Sequence, residues 1–158
     1  MRWLFQPKPS TRASFPVGKY AVDAPIEGLT GLTEFSPTEY AIMERTFESE
    51  KNYNASPLTF LGCKWKVMLG TVHGRVYKIA CCSETKNEYK ANRIARKILN
   101  YCTKKLGSPA SQQTGLFTWM TTDGNVIFQL AKADEAMTIN LFVTSRSVRS
   151  FKTRLHVL

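Results

Sequence analysis

Hydrophobic and polar positions change their pattern several times along the chain. The opening residues, through QPKPSTRASFPVG, follow neither the two-residue nor the 3.6-residue period and are rich in Pro, Ser and Gly. Residues 1–30 are therefore expected to form an irregular arm, extended or disordered. EFSPTEYAIMERTF carries helix-start signals: Ser36 as cap, Pro37 at the first position, Glu39 closing a capping box, and Phe35 stapled onto Tyr40. It predicts a short helix over about Pro37–Glu44. KNYNASPL then reads as a loop into the more regular part.

GCKWKVMLGTVHGRVYKIACC alternates with period two about a turn signal, as a hairpin does. A three-residue loop of Val72, His73 and Gly74 would pair Thr71 with Arg75, Leu69 with Tyr77, Val67 with Ile79, Trp65 with Cys81 and Cys63 with Ser83. One face is then apolar, while Lys64, Lys66 and Lys78 point the other way. A two-residue loop would set Leu69 against Lys78 and bury that ammonium, so the longer loop is the expectation.

After the hairpin the period lengthens. Ala91, Ile94, Ala95, Ile98, Cys102 and Leu106 recur at helical spacing. Thr85 with Glu88 gives a capping box, and Gly107 with Pro109 a stop. Lys86, Lys90, Arg93, Lys97 and Lys104 form the opposite stripe, with Glu88 as its one acidic residue. Three strands follow, GLFTWMT, NVIFQLA and AMTINLFVT, joined at Thr122-Asp123-Gly124 and Ala133-Asp134-Glu135. Val126, Phe128 and Leu130, then Met137, Ile139, Leu141 and Val143, mark their apolar faces.

The order predicts an α+β fold: an antiparallel sheet of a hairpin, a long helix and a three-stranded meander, with the helix on one face and the irregular arm and short helix before it. Residues 31–158 would be a single domain, with a core of about 58–145 and a basic tail over 146–158. That tail, SRSVRSFKTRLHVL from Ser145 onward, spaces Val148, Phe151 and Leu155 for a helical stripe. A length of 158 residues with 43% hydrophobic content suits one core.

Composition narrows the setting. No window reaches the roughly 20 apolar residues of a membrane helix, and MRWLFQPKPS lacks the apolar run of an export signal. A cytoplasmic protein without a membrane span is expected, and with it four reduced cysteines. Cys81 and Cys82 are adjacent in a strand and point to opposite faces, and the separations from Cys63 to Cys81 and Cys82 to Cys102 do not suit a zinc site. The cysteines read as packing material, with no metal and no cofactor.

Charge is unevenly divided. Residues 1–58 carry six Lys or Arg against seven Asp or Glu, whereas residues 59–158 carry sixteen against five, a net of +11. That imbalance suits an acidic partner. FLGCKW, GRVYKI, KKLGSP, FTW and DGNVI, taken together over residues 58–145, resemble an arrangement in small uncharacterised bacterial proteins. The resemblance implies a fold and brings no function with it.

No phosphate-binding glycine loop, G-x-S-x-G elbow or H-E-x-x-H helix is present in the sequence. No catalytic set can be assembled from its two histidines and scattered carboxylates, so an enzyme is not expected. Two readings remain. The first is an interaction or regulatory module binding an acidic protein; the second is a nucleic-acid binder. Both would use Lys64, Lys66 and Lys78 on the sheet, or Lys90, Arg93 and Lys97 on the helix. Neither partner identity nor oligomeric state follows from the sequence.

Overall fold

The computed structural model describes residues 15–35, 50–122 and 124–146. The elements run β1 (Thr33–Phe35), β2 (Glu50–Phe60), β3 (Cys63–Val72), β4 (Arg75–Thr85), α1 (Glu88–Leu106), β5 (Ser111–Gln113), β6 (Leu116–Met120), β7 (Gly124–Ala133) and β8 (Ala136–Ser145). All eight strands form one sheet, in the order β1-β2-β3-β4-β8-β7-β6-β5, with every neighbouring pair antiparallel. Two four-stranded meanders thus meet through their last strands, β4 and β8. The chain passes from one to the other through α1, so the class is α+β with far more sheet than helix.

The side chains expected on the buried stripe of α1 are the buried ones: Ala91, Ile94, Ala95, Ile98, Cys102 and Leu106. They share one core with Trp65, Val67, Leu69, Ile79 and Cys81 of the first meander and with Trp119, Val126, Phe128, Ile139, Leu141 and Val143 of the second. Both tryptophans satisfy their ring N–H groups inside that core, Trp65 donating to Phe60 O and Trp119 to Gly107 O, each at 3.0 Å. Met68 and Ala80 point the other way and pack with Phe35, Cys82 and Phe142 in a smaller cluster.

Four expectations are corrected. KNYNASPL is no loop: it lies within β2, paired to β3 along Glu50–Phe60. Its Pro57 is accommodated because the ladder shifts register between Ala55 and Leu58, where a missing N–H costs nothing. The β3–β4 turn has two residues, with Val72 opposite Arg75 and both His73 and Gly74 at positive φ. A register shift after Gly70 then inserts one extra β4 residue, so that Leu69 pairs with Ile79 and Val67, not Trp65, with Cys81. The short loop and the apolar pairing, treated as exclusive in the sequence, coexist through this bulge. Gly70 makes it possible, since a Cβ there would stand 2.9 Å from Tyr77 Cε1.

The cap of α1 is Asn87, whose Oδ1 accepts from Lys90 N at 3.0 Å; Thr85 remains in β4, opposite Met137. Finally, the residues after α1 make four strands rather than three, because Ser111–Gln113 adds β5 to the edge of β6. The helix expected over Pro37–Glu44 lies outside the described residues, as does most of the basic tail.

Residues 15–30 of the arm form turns and isolated bridges rather than a regular element, yet they belong to the core. Phe15, Val17, Tyr20 and Val22 are buried in the same cluster as α1 and the sheet. Backbone bonds from Asp23 N to Val76 O (2.7 Å), Val76 N to Ala24 O (2.9 Å) and Ile26 N to Gly74 O (2.9 Å) tie the arm to the start of β4. Ser145 Oγ donates to Asp23 Oδ1 at 2.6 Å, which joins it to the end of β8 as well.

Candidate functional site

The six basic residues singled out in the sequence fall on two different surfaces. Lys64 and Lys66 are exposed on β3 and Lys78 is half-buried on β4. Alternation from the core residues Trp65, Val67 and Ile79 puts all three on the sheet face away from α1. Lys66 and Lys64 border a shallow hollow of about 390 Å³ shared with Pro57, Trp65, Cys82, Ser83, Glu84, Thr138 and Asn140. The Lys78 ammonium sits 5.5 Å from the centroid of the Tyr77 ring. Glu84 in that hollow offsets part of its positive charge.

Lys90, Arg93 and Lys97 are exposed on α1, on the other side of the sheet. At about 100° per residue Lys90, Arg93 and Lys97 (i, i+3, i+7) fall within about 60° of one another, with Arg93 at the edge of the stripe nearest Arg96. Lys97 leans toward the β2–β3 turn, its Nζ 3.6 Å from where a Cβ on Gly62 would stand. On the same flank Tyr101 makes edge contacts with Phe15 and Phe60, at 5.9 and 5.1 Å between ring centroids. The opposite flank, which carries Asn92, Arg96 and Leu99, faces β6 and β7.

That second flank walls a groove of about 570 Å³. Leu99 and Ala95 of α1, Phe117 of β6, and Phe128 and Leu130 of β7 make its apolar floor, and Arg93, Arg96, Asn92 and Tyr89 stand at its rim. Phe117 stacks on Phe128, with ring centroids 6.0 Å apart, and Phe128 is fully buried while Phe117 is not. Tyr89 is 78% exposed, the most exposed large apolar side chain among the described residues. The far end is fixed by Gly115, at φ +72, whose carbonyl accepts from Leu130 N at 2.8 Å. A Cβ on Gly115 would meet Leu130 O at 2.5 Å, so this wall requires glycine. No carboxylate lines the groove among the described residues.

Arg96, Tyr89, Phe117 and Leu130 were not found from the sequence. Arg96 falls outside the lysine-rich stripe by one helical position, but its spacing from Tyr89, Asn92 and Leu99 (i, i+3, i+7, i+10) marks a single flank. The β6 and β7 contributions had no local signal, because an aromatic on an apolar strand face looks the same whether a helix covers it fully or in part.

Three of the four thiols are held in their protonated form by burial. Cys81 faces the main core and Cys82 the smaller cluster, so the adjacent pair does diverge. Burial, and secondarily Cys82, pushes the Cys81 thiol up to about 12, and burial pushes Cys102 up to about 12. Burial also raises Cys82, against an opposing pull from Lys66. Cys63 Sγ lies 3.0 Å from Ser83 Oγ. Thiols held in their protonated form are poor nucleophiles and poor metal ligands at neutral pH.

No protein-family model matches the chain, and neither a curated protein nor a solved structure matches it. Among the described residues no helix is long and apolar enough to cross a membrane.

Proposed function

We propose that the protein is a small, non-catalytic interaction or regulatory module that binds an acidic protein partner on the α1 side of its sheet. The observation that carries this reading is the pairing of exposed Arg93 and Arg96 with an apolar floor, in a groove that no carboxylate lines among the described residues. Protein interfaces combine a desolvated apolar centre with a polar rim, and arginine is favoured at that rim because its guanidinium pairs with carboxylates in a fixed geometry. The far-face lysines Lys64 and Lys66 share their hollow, which Pro57, Trp65 and Cys82 also line, with the carboxylate of Glu84. Four free thiols suit a reducing compartment, which favours the cytoplasm.

Nucleic acid is the second reading, favoured by the net charge of +11 over residues 59–158. Affinity purification from the source cell, with and without nuclease, separates the two. A protein retained after nuclease and lost with Arg93→Glu supports the first reading. Recovery that depends wholly on nucleic acid, with steep loss as salt rises, supports the second.

A further inference from the structure

The groove has a shape and chemistry that describe its occupant more narrowly than "acidic". Its floor is formed by two phenylalanines and two leucines, with Ala95 between them, and its cations stand along one side only, three residues apart on α1. Residues three apart on a helix lie about 5–6 Å from one another, so the two guanidiniums can take two carboxylates of one short peptide. A nucleobase could stack its face on Phe117, but its polar edges would then lie beside Leu99 and Leu130, where neither side chain can replace the lost water. A single large apolar side chain has no such edges. An uncharged apolar ligand would leave Arg93 and Arg96 unused.

We infer that the groove between α1 and the β6–β7 pair is a docking site for an acidic peptide segment carrying one large apolar side chain, which rests on Phe117 and Leu130 while flanking carboxylates pair with Arg93 and Arg96. Tyr89 stands at the rim, 78% exposed, where its ring can cover the inserted side chain. This rests on the reading of the α1 side as the partner surface, and it adds what that surface recognises.

The test uses the full-length isotope-labelled protein and two acetylated, amidated probe peptides, Asp-Glu-Phe-Asp-Glu and Asp-Glu-Ala-Asp-Glu, titrated by NMR. The phenylalanine probe should shift the amides of Tyr89, Arg96, Gly115 and Phe117, and should bind about tenfold or more tightly than the alanine probe, because a buried aromatic ring separates them. Arg96→Glu should weaken that binding at least tenfold with its unfolding midpoint unchanged, and Lys66→Glu should leave it as it was. Equal binding of both probes, with shifts at Lys90 and Lys97 instead, would overturn the groove inference while the α1 side kept its acidic partner. No shift with either probe at millimolar concentration, alongside tight binding of a single-stranded oligonucleotide, would overturn both.

Discussion

The meander β1–β4 and the meander β5–β8 contribute to one core, but they differ in the regularity of their pairing and in where they bury polar groups. In β5–β8 the pairing runs without a register shift, and the polar side chains that are buried, Thr121, Asn125 and Ser145, sit where β7 and β8 reach the β6–β7 turn and the arm. In β1–β4 the pairing shifts twice, between Ala55 and Leu58 and after Gly70. The face turned from α1 there buries Glu50 and Asn52, which are 3% and 1% exposed, and the Tyr77 hydroxyl donates to Glu50 Oε1. A regular ladder can present a plain apolar floor to a groove. An irregular one, with its bulges, re-aims side chains such as Tyr77 and needs further chain to complete it.

That further chain is the arm, and its removal is the harshest way to break the comparison. Deleting residues 1–30 strips Phe15, Val17, Tyr20 and Val22 from the core, each contributing about 1.5–3 kcal/mol by burial. Together they match the whole stability of an ordinary domain, about 5–15 kcal/mol. The truncated protein should lose its cooperative urea transition, although the absence of a hydrophobic period over residues 1–30 pointed to an arm outside the folded domain. A sharp transition close to that of the full chain would show that the first meander closes without the arm.

A milder break compares one tryptophan from each half. Trp65→Ala and Trp119→Ala should each cost about 3–5 kcal/mol, since both rings are almost fully buried and each N–H leaves a carbonyl without its donor. Equilibrium unfolding followed by circular dichroism and by fluorescence should give coincident curves in both variants. If Trp119→Ala cost under about 1 kcal/mol, the second meander would unfold separately from the first.

How far the sequence could be read follows the same division. The α1 stripe from Ala91 to Leu106 and the alternations of β7 and β8 were legible because those elements bury one whole face, and a buried face leaves its period in the sequence. β2 was not. Its stretch KNYNASPL has Asn52 buried by tertiary packing and Pro57 held at a bulge, and neither fact has a local signature. β1 and β5, three residues each, are too short to show a period at all. The arm failed for a related reason: Phe15, Val17, Tyr20 and Val22 reach the core from turns and isolated bridges, where no repeat relates one buried side chain to the next. At the candidate site Arg93 was legible as an exposed helix cation, whereas the groove depends on α1 leaving Phe117 and Leu130 partly uncovered, which only the packing decides.

The thiols give a smaller effect that reports on the shared core. Cys81 of the first meander and Cys102 of α1 are both raised from near 9 to about 12 in the folded protein. The folded state therefore keeps protons that the unfolded chain releases. Stability should be unaffected by these groups below about pH 9 and should fall as the pH rises from there toward about 12. At pH 10 each contributes a loss of about 1 kcal/mol. Comparing unfolding free energies at pH 8 and pH 10, Cys102→Ala should flatten the decline by about that amount. An unchanged slope would mean that the thiol is reached by solvent.

The smallest effect on stability separates the two faces of the sheet most cleanly. Lys66 and Arg96 are both exposed and stand on opposite sides of the molecule. Reversing either charge should shift unfolding by no more than about 0.5 kcal/mol, as surface substitutions generally do. Their consequences for binding should differ, because a charge beside an apolar floor acts on a partner that is partly desolvated there, where attraction is stronger than in open water. At Lys66 the hollow holds Glu84, so a carboxylate arriving there meets like charge beside the lysine. Arg96→Glu should therefore abolish retention of the acidic partner in a purification that Lys66→Glu leaves intact. If the two reversals weakened it equally, the interaction would follow the net charge of the chain rather than any one surface, and the regular meander with its groove would have no special part in it.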